Sequence, residues 1–275
     1  MPTQTPFELW RAAVAIDAAR PFVTSYDEAT GGRVELSYAT FDNWVAKTAN
    51  FLRDGVGAEP GDRVVLALPL HWQSLVWLTA CWAVGATALP CGELPESAED
   101  FPAGEVIVAM GDRTAAALDA GAREVVVTGL HPLGAPLPAC DPAALDFGEE
   151  ARGYGDVFEP HSGDAAGPAL VWGGAAGEAR SGADLVATAG RRAEQWDLTT
   201  TDRLAIITDG QAALTVLGEA LDLYLATVYA GAALVLTCDS DSANLQSRLE
   251  MEHVSAVAGS SAEFSSLAGS IRPLT

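Results

Sequence analysis

The chain predicts an α/β protein of layered, mostly parallel sheets with helices on both faces. Two observations carry this. Segments such as Arg63-Val-Val-Leu-Ala-Leu68 and Glu124-Val-Val-Val-Thr128 are continuous apolar runs rather than alternations. Parallel strands covered on both faces read that way. Between such runs lie longer stretches with apolar residues at helical spacing, so strand and helix alternate along the chain. The length of 275 residues and the 49% hydrophobic content exclude a disordered chain and permit a sizeable core.

Taken in order, a helix is expected near 7–18. A hairpin follows, because Phe22–Tyr26 and Arg33–Ser37 flank the turn-rich Asp27–Gly32. Phe41, Trp44, Val45, Thr48, Ala49 and Leu52 then fall on one face of a 3.6-residue period. Gly55 and Gly57 stop that helix, and Pro60-Gly61-Asp62 turns the chain. Further strands fit 63–68, 86–89, 105–109, 124–128, 169–172, 203–208, 232–237 and 254–258. Further helices fit 72–84, 112–120, 183–196, 211–228, 242–252 and 261–268. Residues 130–168 break the rhythm with six prolines, and hold seven acids from Asp141 to Asp164 against Arg152 alone. This reads as a mostly solvated connection. The expected organisation is therefore a first lobe, 1–150, with the N-terminal helix and hairpin. A connection, 151–168, leads to a second lobe, 169–275.

Acids number 37 and bases 15, for a formal charge of −22. Such a chain repels phosphate backbones and anionic lipid, so neither nucleic acid nor a membrane surface is an expected partner. The uncharged run Val64–Gly92 is interrupted by Pro69 and Pro90 and carries His71, Gln73 and Ser74. A buried helix at 72–84 fits it better than a membrane span. The N-terminus has no basic start and carries Glu8, Arg11 and Asp17, unlike a signal peptide. Cys81, Cys91, Cys140 and Cys238 are scattered, without metal-ligand spacing. Free thiols, no metal site and a cytoplasmic location are expected. Lys47 is the only lysine, so any mechanism that needs a lysine must use it.

Three stretches carry an ancestry. The first runs from Leu36-Ser-Tyr-Ala-Thr-Phe-Asp42 to Gly61-Asp-Arg-Val-Val-Leu-Ala-Leu-Pro69. The second is Thr79-Ala-Cys-Trp-Ala-Val-Gly-Ala-Thr-Ala-Leu-Pro90. The third joins Asp202-Arg-Leu-Ala-Ile-Ile207, Tyr229-Ala-Gly-Ala-Ala-Leu-Val-Leu236 and Leu249-Glu-Met-Glu-His-Val-Ser-Ala-Val257. In this order they resemble the AMP-dependent synthetase/ligase family, the adenylate-forming acyl-CoA synthetases and their relatives. The resemblance implies the two-lobed fold of that family's N-terminal domain. It also implies a loop after strand 169–172 that reads S-G-T-T-G-x-P-K-G in the family and cradles the ATP phosphates.

Here that loop reads Gly173-Gly174-Ala175-Ala176-Gly177-Glu178-Ala179-Arg180-Ser181. Gly174 and Gly177 align with the family's glycines. The Ser, both Thr and the Pro have become Gly173, Ala175, Ala176 and Ala179, and Arg180 stands at the lysine. Gly173, Gly174, Ala175, Ala176, Gly177, Arg180 and Ser181 are thus the candidate phosphate-loop remnant, and Glu178 adds an opposing charge. The family's P-x-x-H-x-x-G is replaced by Thr208-Asp-Gly-Gln-Ala-Ala-Leu-Thr-Val-Leu-Gly218, with neither Pro nor His. The motifs for adenine, ribose and magnesium, and the C-terminal domain with its catalytic lysine, would fall after Thr275.

His71, His131, His161 and His253 form no triad pattern. Ser162-Gly163-Asp164 looks like the family's ribose motif but precedes the loop, out of context. No catalytic residue and no metal ligand is nominated. The expectation is a truncated, acyl-CoA synthetase-like pseudoenzyme that binds a small molecule or a protein. It needs no cofactor, and ATP or AMP with Mg would bind only if the loop remnant still holds them. The alternatives are a partial acid-activating ligase completed by another chain, and a purely structural interaction protein. An unpartnered edge of the second-lobe sheet would be covered by a second copy or a protein partner.

Overall fold

A computed structural model describes residues 4–27, 31–160, 164–172, 177–208, 211–238, 242–259 and 271–274. The chain opens with α1 (Pro6–Ile16), whose first turn is closed by a reciprocal pair. The Thr5 hydroxyl accepts from the Glu8 N–H, and the Glu8 carboxylate accepts from the Thr5 N–H. The expected hairpin follows as β1 (Pro21–Asp27) and β2 (Gly32–Ser37). Next come α2 (Tyr38–Asn50), which ends in a wide turn over Phe51–Gly55, then β3 (Arg63–Ala67), α3 (Trp72–Val84) and β4 (Thr87–Pro90). Gly85 ends α3 at φ +79°, the left-handed cap that glycine accepts without strain. The central part continues with β5 (Val106–Met110), α4 (Thr114–Asp119), β6 (Glu124–Thr128), β7 (Leu145–Asp146) and α5 (Phe147–Glu150). It closes with β8 (Pro168–Trp172), β9 (Glu178–Ser181) and α6 (Gly182–Gln195). The last part holds β10 (Arg203–Thr208), α7 (Asp222–Ala230), β11 (Ala233–Cys238), α8 (Ser242–Met251), β12 (Ala256–Gly259) and β13 (Arg272–Pro273).

The strands form two sheets. One has the order β7-β6-β5-β3-β4-β8-β9, the other β13-β12-β10-β11-β1-β2. Pairing is parallel except in the hairpins β8–β9 and β1–β2. The continuous apolar strands have the expected cause, because alternate residues face two different cores. Val64, Leu66, Val106, Val108, Leu204, Ile206, Leu234 and Leu236 join one large core with residues of α1, α2, α3, α6 and α7. Val65, Ala67, Ile107, Ala109, Val125 and Val127 pack with Ala117 of α4. Ala205, Ile207, Val235 and Val257 pack with Leu245 and Leu249 of α8. Helices thus cover both faces of both sheets, with a shared helical layer between them. All thirteen residues of α3 are buried in that layer, which explains its uncharged sequence. Among the described residues no helix is long and apolar enough to cross a membrane.

Each sheet takes strands from both sides of the 151–168 connection. The hairpin β1–β2 joins the C-terminal strands through β1–β11, with Val23 opposite Leu234. The hairpin β8–β9 joins the N-terminal strands through Ala88 opposite Leu170. The connection therefore runs between two strands of one sheet. The longer stretch 130–168 is also less solvated than its composition suggests. Phe147, Ala151 and Phe158 are buried in the large core, and the segment carries β7, α5 and a tight turn at Ala151–Gly153. The helix expected over 211–228 is two pieces, a turn at Leu214–Leu217 and then α7. Gly218 at φ +89° and Leu221 at φ +52° break it. The expected helix at 261–268 lies outside the described residues.

Candidate functional site

The carboxyl ends of parallel strands, where the order of a sheet changes, are where α/β folds place ligands. In this chain the two sheets are fastened to each other at that end. The Leu70 N–H, just past β3, donates to the Ala212 carbonyl at 2.7 Å, and Pro69 bridges to Ala213. The Thr215 hydroxyl donates to the Gly92 carbonyl at 3.1 Å, past β4. Between these loops lies an open cavity of about 460 Å³, lined by Gly92, Glu93, Leu94, Gln211, Thr215 and Val216 among others. Among the described residues its lining has one acid, Glu93, and no base.

The loop remnant leaves β8 at the same end. Gly173, Gly174, Ala175 and Ala176 lie outside the described residues, and so do His161, Ser162 and Gly163. The described part, Gly177 onward, returns as β9, with Trp172 opposite Glu178 and Val171 opposite Ala179. The sequence pattern gave no sign of this strand. Ser181 is the N-cap of α6. Its hydroxyl accepts from the Asp184 N–H at 3.1 Å and bonds the Asp184 carboxylate at 2.7 Å, so it serves the helix.

Arg180 reaches across to the segment before α7. Its Nη2 lies 3.5 Å from Glu219 Oε2 and 3.8 Å from Glu178 Oε2, and its buried Nε has no hydrogen-bond partner. Both carboxylates are largely exposed, at 82% for Glu178 and 76% for Glu219. Such pairs are worth about 0–1 kcal/mol each. Their main effect is on charge, since one guanidinium stands between two carboxylates. Glu219 is the neighbour of Arg180 that the sequence did not reveal, being 39 residues away with no motif linking it to the loop.

Two reactive side chains at this end are quiet. His71 caps α3, and its Nδ1 accepts from the Gln73 N–H at 3.3 Å. Burial pushes its pKa down to about 4, against an opposing pull from Asp27, so the ring is neutral near pH 7. Cys91 follows β4, and burial pushes its thiol up to about 12, which suppresses the nucleophilic thiolate. Among the described residues no group of three or more His, Cys, Asp or Glu could hold a metal ion.

A family model described as AMP-binding enzyme matches residues 10–133. A Mycobacterium tuberculosis (strain ATCC 25618 / H37Rv) protein, named as a TIGR03089 family protein, is 35% identical over 246 residues. That alignment covers 88% of this chain and 92% of the relative. The chain belongs to the AMP-binding enzyme family. Solved structures agree on the fold. A protein of Rhodopseudomonas palustris CGA009 assigned as a long-chain-fatty-acid CoA ligase superposes with TM-score 0.76 at 22% identity. It matches all of this chain and 70% of its own length. The anthranilate CoA ligase AuaEII, solved with anthranoyl-AMP, superposes with TM-score 0.71 at 16% identity over 94% of this chain. This chain spans 50% of that ligase. The fold is the α/β fold of adenylate-forming N-terminal domains, and the chain is the size of such a domain.

Proposed function

We propose that this acyl-CoA synthetase-like chain forms no adenylate by itself, and that its carboxyl-end crevice binds a small molecule or a protein segment. The observation that carries this reading is Arg180 held between Glu178 and Glu219. Adenylyl transfer needs positioned donors and cations to stabilise charge developing on the phosphates. The resemblance assigns that work to loop hydroxyls and a lysine. This sequence has Gly173, Ala175 and Ala176 in place of the hydroxyls, and the remaining hydroxyl, Ser181, caps α6.

The supply of bases supports the same reading, because every base has a partner. Arg11, Arg33, Lys47, Arg53, Arg63 and Arg113 pair with acids, as do Arg123, Arg180, Arg192, Arg203 and Arg272. Arg20 and Arg152 bond carbonyls, and Arg191 and Arg248 bond threonine hydroxyls. Among the described residues no base is thus left without a partner to meet a magnesium–triphosphate, which supports the absence of adenylate formation.

The test is ATP–pyrophosphate exchange across a broad panel of carboxylic acids, beside calorimetry with ATP. No exchange and no ATP binding at millimolar concentration are expected. Robust exchange that Arg180→Ala abolishes would overturn the proposal. The retained hairpin β8–β9, with Gly177 and Arg180 in place, favours the alternative of an acid-activating ligase completed by another chain. Exchange that appears only on adding a second protein would establish that alternative.

A further inference from the structure

We infer a second ligand site, for a small primary ammonium on an apolar body, at the amino ends of β3, β4 and β8. It lies at the opposite end of the sheet from the crevice and does not depend on how the crevice is read. A cavity of about 440 Å³ opens there, within the roughly 300–1,000 Å³ range of small-molecule pockets. Its walls come from the start of α1, the end of α3, the lead into β8 and the start of α6.

The chemistry of the lining selects the ligand. Phe7, Trp82 and Val84 supply a buried apolar floor. The Trp82 Nε1 donates to the Ala169 carbonyl at 2.9 Å, so the indole offers the cavity no donor. Pro6, Pro60, Pro160 and Pro168 also line it, and proline has no backbone N–H. Six of the other lining N–H groups are already engaged. Glu8 donates to the Thr5 hydroxyl, Gly61 to the Gly85 carbonyl, Gly85 to Trp82 and Ala86 to Cys81. Gly167 donates to the Asp164 carbonyl, and Gly182 to the Gly167 carbonyl. Prolines and engaged N–H groups thus make up most of the backbone positions that could have met a ligand there.

Two exposed carboxylates, Glu8 and Asp164, stand at its edge, and among the described residues no base lines it. Among the described residues neither carboxylate has an ion-pair partner. An anion would meet repulsion from both carboxylates there. An ammonium carries three donors and no acceptor, which complements this lining. The enclosure by four separate elements favours a free small molecule over a protein surface.

The test uses the full chain with phenethylamine, the isosteric alcohol 2-phenylethanol and the anion 3-phenylpropionate, followed by NMR titration. The amine is expected to bind and the anion not to bind, with the alcohol weaker than the amine. The variant Glu8→Gln/Asp164→Asn keeps both local backbone hydrogen bonds, since amide side chains also accept, but removes both charges. It is expected to weaken amine binding about five- to tenfold, the sum of two screened ion pairs. Circular dichroism confirms that the variant is folded, and the comparison of isosteres on the unmodified chain does not rely on it. Equal binding of amine and alcohol, no amine binding at millimolar concentration, or amine binding unchanged in the folded double variant would each overturn the inference.

Discussion

Removing the Glu252 carboxylate should destabilise the fold by about 3 kcal/mol, the low end of the roughly 3–5 kcal/mol range for stranding the partners of a buried charge. Glu252 is 3% exposed, at the end of α8. Its Oε1 accepts from the Tyr26 hydroxyl at 2.6 Å and from Arg33 Nε at 2.7 Å. Its Oε2 accepts from Arg203 Nη2 at 2.9 Å and from Arg33 Nη2 at 3.2 Å. Those partners lie on β1, β2 and β10, so one carboxylate fastens the N-terminal hairpin to the C-terminal strands. The low end applies because Arg33 and Arg203 stay partly exposed and keep Glu35, 2.7 and 3.6 Å away respectively. Glu252→Gln keeps the volume and one acceptor, and should cost about 1.5 kcal/mol, the difference between charged and neutral hydrogen bonds. The pH dependence has a definite sign. Burial raises the Glu252 pKa, but bonds from Arg33 and Tyr26 outweigh it and hold the group below its ordinary 4.5. Its contribution is therefore complete above the unfolded pKa and is lost as pH falls through the folded one. Urea unfolding of wild type, Glu252→Ala and Glu252→Gln at neutral pH, and again below the ordinary carboxylate range, measures this. The gap between wild type and Gln should narrow in acid. A cost for Glu252→Ala below about 1 kcal/mol would show that the network acts like a surface ion pair, and the argument from burial would fail.

Trp77 is fully buried, with ring centroids 4.8 Å from Phe147 and 6.3 Å from Phe51. Trp77→Ala should cost about 3–5 kcal/mol by denaturant unfolding, and a cost under about 1 would mean that the core can collapse around the void. Gly85→Ala places a Cβ at φ +79° and 3.3 Å from the Pro60 Cβ, so a loss of about 1 kcal/mol or more in thermal unfolding is expected. Mass spectrometry after brief alkylation of the native protein should find Cys81 and Cys91 unmodified, since burial raises both thiol pKa values; labelling of either at the rate of a free thiol would contradict the structure. Arg180→Ala should change stability by less than about 1 kcal/mol, because its two pairs are long and exposed. A larger loss would make Arg180 a structural residue.

What the sequence disclosed follows from which interactions are local. The runs 63–68, 124–128 and 203–208 announced buried parallel strands because both neighbours of each strand demand apolar side chains, whatever those neighbours are. The uncharged 72–84 segment announced α3, with Gly85 marking its end, because capping is decided within a few residues. The partners of each strand were not legible. Nothing in Phe22–Tyr26 shows that β1 will lie beside β11, since pairing is settled by which edge is left open once the rest has folded. The 211–228 stretch kept apolar residues at helical spacing, so the break at Gly218–Leu221 was visible only as one glycine. At the candidate site the loop substitutions were readable directly. The Arg180–Glu219 pairing was not, because it depends on a strand of one sheet meeting a loop that follows a strand of the other.

The charge arithmetic ties the two ends of the molecule together. Fifteen bases against 37 acids leave a surface dominated by carboxylates, and eleven of the fifteen bases stand within ion-pair distance of an acid. A site that needs free positive charge is opposed at Arg180 by its two acids. At the crevice it would have to come from deleting acids, with Glu178→Gln and Glu219→Gln releasing the charge that Arg180 already carries. At the amino ends of β3, β4 and β8, where the described lining has no base, the same arithmetic works in favour of a cation. The proposed crevice ligand and the inferred ammonium then obey one rule. A ligand at either place brings its own positive charge or none, because the described lining of each cavity holds no base, and Arg180 beside the crevice is flanked by two carboxylates.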